Sequence, residues 1–593
     1  MKSQKIKKGL AAALCIITVC ALSACSLPHF PFGRREEEPA ATQEYTPKPQ
    51  QTAAQLPEYY HYDVGSFYEN CDVMLNQYGL GNTDQAFQYY KDLSDDLLEL
   101  DELQSVVYVK YSENVNDEYY SGEYKYMDEV VTSAADRFFT ACHTMITGAY
   151  ADKFRSFIKD KVYIEYYEEY EPMTEEQLEL NKKENELVRQ YYTQADGMMD
   201  TSCTIGGKTY TLDDALGDKG NKLYALNPDL YMEVYETCLA AYNSLVGETY
   251  LDLVDVRTKI AKSYGYDNYA DYADKEIYER DYTTADLEVM KKNAKLFGRD
   301  LQAYSYGFSD YLDFSYTNID DLVSRTGSIL SSISPLAAET FEYIYGNKLY
   351  SIGNEDNRMD GGYTIYLSKS LMPYMYIKTS GTAQDALTFA HEFGHFTEFH
   401  TVPLPYPTID SGDLDLEETH SQGLQLLFSE RADDLFGKNA DYIKAYNVAR
   451  VSGAVIDGCI FDDWQREVYE NPDMTLEEVN ACFKEIELEY GTAEYPGLEY
   501  LWCDVPHNFE NPMYYISYAI SAFGALQIWS MSQKDYSGAV SAWESLITQG
   551  ACQNDYEDVM KNAGLKTFDD SDATYQILED TTYFLIQVYY KMR

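Results

Sequence analysis

Five residues constrain this chain more tightly than any others: His391-Glu392-Phe393-Gly394-His395. They lie in the run Ala383–Phe399, and Thr379-Ser380-Gly381-Thr382 just before it supplies ready helix N-caps. Residues four apart share one face of a helix. Both imidazoles can therefore reach a single metal ion, with Glu392 beside them as a base for an attacking water. The chain is poor in histidine, and five of its eight histidines fall between positions 391 and 507. The fold must present this helix to a second element that completes the site.

A catalytic zinc site takes three protein ligands and leaves one position open, so two histidines are not enough. The downstream candidates are His400, His420 and the carboxylates of Asp413-Leu414-Asp415-Leu416-Glu417-Glu418-Thr419-His420. That segment carries acids where a helix N-terminus favours them and runs on into the apolar Leu424, Leu426, Leu427 and Phe428. It is expected to form a second helix packed across the first. Spacing alone leaves Glu417, Glu418 and His420 open as the third ligand.

The N-terminus points to export. Lys2, Lys5, Lys7 and Lys8 precede an apolar run over 9–24, too short for a membrane span, that ends Leu22-Ser23-Ala24 before Cys25. Small residues directly before a cysteine resemble the bacterial lipobox, which implies a signal peptide over 1–24 and lipidation of Cys25. Residues 25–57 hold Pro, Gln, Thr, Glu and Ala with few large aliphatic side chains, a composition expected to remain a disordered linker. The expected location is extracytoplasmic, with the membrane touched only through the anchor.

The net charge is −53, and loss of the signal's four lysines takes it to −57. Such a surface repels phosphate backbones, which excludes nucleic acid as a partner. Beyond Cys25 the eight cysteines form no CxxC pair and no dense framework, so most are expected to be small core residues.

Helical periodicity dominates 58–200, with amphipathic stretches near 84–101, 127–147 and 174–196, the last opening on the capping-box pattern Thr174-Glu175-Glu176-Gln177. Ser202–Ile205 and Lys208–Leu212 flank Gly206-Gly207, a hairpin signal. A second extended region spans 361–378. Residues 513–531 carry no charge, but three serines and a glutamine favour a buried helix over a membrane span, with Asn511-Pro512 as its N-cap and first residue. An N-terminal helical region over 58–200 and a catalytic region over 201–593 are expected.

Phe389-Ala390 before the motif, and Glu418-Thr419-His420-Ser421 twenty-three residues beyond His395, resemble the thimet oligopeptidase and oligoendopeptidase F family of zinc peptidases. Pro373–Ile377 with Gly381-Thr382 is similar to that family's active-site edge strand and turn. Ile260 through Ala270, containing Gly265-Tyr266-Asp267-Asn268-Tyr269, is similar to another of its signatures. The resemblance implies that Glu418 is the third ligand of one Zn2+ per chain. It also implies that Pro506-His507 and Tyr514-Tyr515-Ile516-Ser517-Tyr518 supply oxyanion donors from His507 and Tyr518, with Tyr515 in support. The implied fold is mainly α: a large helical ellipsoid of two halves around a deep substrate channel, with a small β-sheet beside the HExxH helix. The implied activity is endopeptidase cleavage of short unfolded peptides by a monomer. Two positions depart from the pattern: Glu398 stands where the family commonly has histidine, and Gln425 where it commonly has glutamate. Two rivals are a peptide-binding surface lipoprotein with a retained zinc site but little turnover, and a carboxypeptidase or dipeptidase on a related helical fold.

Overall fold

The computed structural model describes residues 55–170, 172–404, 406, 408, 413–550 and 556–592. The expected signal peptide, Cys25 and nearly all of the expected linker lie outside the described residues. The chain begins with α1 (Val64–Gly79), α2 (Thr83–Glu113) and α3 (Glu118–Ile146), whose apolar faces close on one another. Their shared core runs from Phe67 to Tyr170. A second, larger core extends to Tyr589. Helix α2 belongs to both: Val107 faces the first core, and Val106 and Val109 face the second.

Helix α4 (Glu175–Ala195) starts at the expected capping box, with the Thr174 hydroxyl accepting from Gln177 N–H and the Gln177 side chain reaching back. The hairpin also forms where Gly206-Gly207 places it. Strand β1 (Ser202–Ile205) pairs antiparallel with β2 (Lys208–Thr211), and both glycines take positive φ. Helix α5 (Pro228–Ser263) follows, then α6 (Pro335–Asn347).

The three-stranded sheet has the order β3-β5-β4. Strands β4 (Gly362–Leu367) and β5 (Met372–Lys378) form the expected extended region. Strand β3 (Tyr350–Gly353), parallel to β5, lies in a stretch where helical periodicity was expected to continue. Four residues after a helix carry too little pattern of their own, and pairing with β5 makes them a strand.

Helix α7 (Ala383–Thr401) carries the HExxH motif and begins with Thr382 as N-cap and Asp385 completing a capping box. It crosses α8 (Leu414–Arg431) so closely that a Cβ on Gly394 would stand 2.5 Å from Ser421 Cα. Only glycine fits there. Helix α9 (Ala440–Glu470) and helix α10 (Tyr515–Ser532) complete the bundle around the site. The uncharged run over 513–531 is indeed a buried helix, and among the described residues no helix is long and apolar enough to cross a membrane.

The start of α10 differs from expectation. Asn511-Pro512 does not cap it. Met513 takes a left-handed φ of 70° and breaks the chain direction, so the helix begins at Tyr515. The chain is thus mainly helical, with two cores and a small sheet beside the HExxH helix.

Contacts between the two cores concentrate at the sheet. The β4–β5 turn is held by Ser368 on Asp101, Lys369 on Glu99, and Ser370 N–H donating to Glu102 at 2.6 Å. Tyr376 of β5 donates to the carbonyl of Ser112 at 2.7 Å. The sheet that flanks α7 is therefore clamped by α2.

Candidate metal and catalytic site

Helix geometry brings the predicted ligands together. His391, His395 and Glu418 each present a ligand atom, and these atoms all lie within 4.8 Å of one another. His391 Nε2 is 3.3 Å from one Glu418 oxygen, and His395 Nε2 is 3.7 Å from the other. Burial is the main cause of unusual protonation here. It holds His391 down at about 4 and His395 well below the ordinary imidazole range, so both are neutral donors. It pushes Glu418 up to about 7.

This donor set fits a zinc ion. Two neutral imidazoles and one carboxylate are the ligands of a catalytic zinc site with one open position. His395 Nε2 is buried and finds no hydrogen-bond partner in the protein. An orphaned acceptor aimed at a carboxylate is costly unless something positive lies between them.

Glu392 is buried on the same helix. Thr364 Oγ1 of β4 lies 2.9 Å from its Oε2 and 3.0 Å from its backbone oxygen. Burial, reinforced by the Glu418 charge, raises the Glu392 carboxyl well above its usual range despite the Thr364 hydroxyl. A carboxyl so placed is suited to exchange a proton near neutral pH.

The other ligand candidates have different partners. His420 Nε2 faces Glu398 at 3.4 Å, and its ring stands edge-on to His395 with centroids 5.5 Å apart. The departure at Glu398 is thereby given a partner inside the fold. His400 stacks on Tyr343 at 4.2 Å.

At the second departure, Gln425 Oε1 sits 3.2 Å from His391 Nδ1. Gln425 Nε2 in turn donates to Asn447 Oδ1 at 2.5 Å, and Asn447 donates back to the Gln425 carbonyl at 3.1 Å. This amide pair fixes the ring nitrogen opposite the metal side. Thr364 and Asn447 were not singled out from the sequence. Both lie on other elements, and no spacing rule connects them to residue 391 or 392.

His507, Tyr515 and Tyr518 also come together. Tyr518 Oη lies 3.4 Å from His507 Nε2, and the Tyr515 and Tyr518 rings each stand edge-on to the imidazole, at 5.3 and 5.9 Å. Helix α10 is bound to α8 near its start, where Ser521 donates to the Asp415 carbonyl at 2.6 Å. Glu418 is one turn further along α8.

Two buried arginines hold the irregular backbone before α10. Arg257 of α5 donates to Phe509 O at 2.5 Å and is paired to Glu184 at 2.6 Å. Arg280 donates to Met513 O at 2.8 Å and to Ser517 Oγ at 3.0 Å, with Asp274 at 2.7 Å as its counterion.

No protein-family model matches this chain, and no curated protein matches it. Solved structures do. A structure of PZ peptidase A with an inhibitor is 18% identical, covers 89% of this chain and 98% of its own, and superposes with a TM-score of 0.70. A Bacillus anthracis str. Ames protein, provisionally assigned as an oligoendopeptidase F, is 19% identical over 89% of this chain and 97% of its own, at 0.67. An oligoendopeptidase-F from Enterococcus faecium is 12% identical over 88% and 97%, at 0.54. The chain shares the helical fold of these proteins along nearly their whole length.

Proposed function

We propose that this chain is a zinc-dependent endopeptidase acting on short unfolded oligopeptides, a distant member of the thimet oligopeptidase and oligoendopeptidase F family. The observation that carries the proposal is the convergence of His391, His395 and Glu418, with Glu392 on the same helix. The structural neighbours' own names as peptidases support it. Export, and anchoring through Cys25, belong to the same proposal on the strength of the N-terminal sequence.

A zinc ion held there supplies Lewis acidity toward a water and toward the carbonyl to be cleaved. Glu392 takes the proton of the attacking water and passes it to the departing amine. Thr364 keeps that carboxylate oriented. His507 and Tyr518 donate to the oxygen on which negative charge develops, and Tyr515 buttresses the imidazole. Strand β4 is the edge of its sheet and carries Thr364, so a substrate added along that edge brings its main chain to Glu392. Recognition through main chain admits many side chains.

The test compares wild type with Glu392→Gln for zinc content and for cleavage of a terminally blocked, internally quenched peptide of about ten residues. Both proteins should bind one zinc, and the variant should cut at least about 10²-fold more slowly. Equal rates in the two proteins would instead support the peptide-binding lipoprotein. Failure on blocked peptides, with cleavage of free termini, would support the carboxypeptidase or dipeptidase.

A further inference from the structure

Helix α9 is buried on nearly every side. Between Ala445 and Asp462 the residues that are not buried are Tyr446, Arg450, Gly453, Ala454 and Asp457. They recur at intervals of three and four, which is a single stripe along one helix face. A Cβ added at Gly453 would meet nothing within 4 Å, so this stripe borders open space.

Buried residues on either side of this stripe touch both groups of candidate site residues. Asn447, beside the stripe, holds Gln425 and through it His391. Eleven residues later a Cβ on Gly458 would stand 2.6 Å from Tyr515 O, and Phe461 packs on the Tyr515 ring at 4.7 Å. Helix α9 therefore reaches from Gln425, behind His391, to the Tyr515 ring, with the half-buried stripe between those contacts.

Arg450 belongs to this stripe. Asn447, on the preceding turn, is bonded to Gln425, whose Oε1 lies 3.2 Å from His391 Nδ1, and this places Arg450 close to the candidate ligands. Among the described residues, every other arginine that is not exposed has a carboxylate within 4.0 Å: Arg155, Arg257, Arg280, Arg325, Arg358 and Arg466. Arg450 has none among the described residues, although the chain carries a net charge of −53. Its Nε is buried without a hydrogen-bond partner, and its only ring contact is Tyr446 at 5.7 Å. Asp457, two turns along the same stripe, does not pair with it: although the residue is only half-buried, desolvation of its carboxyl pushes it up to about 8.

We propose that Arg450 is a specificity residue that anchors a carboxylate of the bound peptide beside the metal site. A guanidinium presents a planar fork that matches a carboxylate with two parallel hydrogen bonds, and an unpaired one in a cleft wall is a preformed half of that pair. The carboxylate comes either from the substrate's C-terminus or from an aspartate or glutamate side chain. This inference rests on the peptidase reading and names the substrate class for it.

The experiment uses the full chain, zinc-loaded, with Glu392→Gln to suppress turnover. Fluorescence anisotropy gives the affinity of matched peptides of about ten residues and three kinds: a neutral C-terminal amide, the same peptide as a C-terminal acid, and a series of amides with glutamate replacing glutamine at successive positions. At least one acidic form should bind about tenfold more tightly than the neutral one, as expected for a hydrogen-bonded charge pair, and the preference should weaken with salt. The acid-to-neutral ratio should collapse toward one in Arg450→Met and recover in part in Arg450→Lys, at unchanged zinc content. A preference for the free terminus identifies the terminal carboxylate, and a preference for one glutamate position identifies a side chain. Equal binding of acid and neutral peptides, or a preference that survives Arg450→Met, overturns the proposal while leaving the peptidase reading intact. No binding of any peptide by the zinc-loaded protein overturns both.

Discussion

At the metal end of the site, His391 and His395 sit on one regular, capped helix and Glu418 on a second, and a glycine lets the two helices touch. At the donor end, His507, Tyr515 and Tyr518 flank a break in regular structure where Met513 turns left-handed. The first arrangement is produced by helical period and close packing. The second is produced by charge-assisted hydrogen bonds from Arg257 and Arg280 to backbone carbonyls that no helix or sheet satisfies. A regular element positions side chains through its own geometry, whereas an irregular one needs buried cations from elsewhere to hold it still.

The comparison can be broken most severely at the ligands. Glu418→Ala should take zinc content from one per chain to none and abolish cleavage, while the circular dichroism of the helices persists. Loss of helix together with zinc would mean that the metal end is not prebuilt. Arg280→Met attacks the other end. It should lower kcat by about 10²-fold, the size of losing one oxyanion donor, while zinc content stays at one. It should also cost about 3–5 kcal/mol in denaturant unfolding, because Asp274 loses its counterion and leaves Arg466 to compensate alone. If zinc is lost as well, the two ends are one cooperative unit.

Gln425→Leu should weaken zinc about tenfold to a hundredfold in chelator competition, since it removes the partner of His391 Nδ1. Its kcat at saturating zinc should change far less, and a large fall there would extend Gln425's role beyond the metal. The smallest effect is on the half-buried stripe of α9. Asp457 is pushed up to about 8 by burial, so its folded pKa lies above the unfolded value. The stability it contributes is fully present below about pH 4 and is lost as pH rises through about 8. Thermal melts should therefore show Asp457→Asn gaining on wild type by roughly a few degrees between pH 4 and 8, with the gap constant above that. A gap that does not vary with pH would show an ionised Asp457 paired in the fold.

Much of the metal end was legible in the chain itself. The four-residue spacing of His391 and His395, the N-cap at Thr382 and the acid-led helix after Asp413 all act within one element, where local geometry decides the outcome. The third ligand was not legible from spacing, because Glu417, Glu418 and His420 lie within one turn. It needed the family resemblance, and the structure now brings Glu418 to the histidines while His420 faces Glu398. The start of α10 was misread, because Asn511-Pro512 is a good local helix start that tertiary bonds to Met513 override.

By itself the sequence determined a helix that sets His391, Glu392 and His395 close together, a hairpin at Gly206-Gly207 and a net charge of −53. Each of these follows from backbone period, turn chemistry or total charge, which need no partner in space. Tertiary structure alone decided that Thr364 reaches Glu392, that Gln425 and Asn447 brace His391, and that Arg450 Nε is buried without a hydrogen-bond partner. Those relations join residues from different elements, and only the packing of helix against helix and sheet determines which side chains meet.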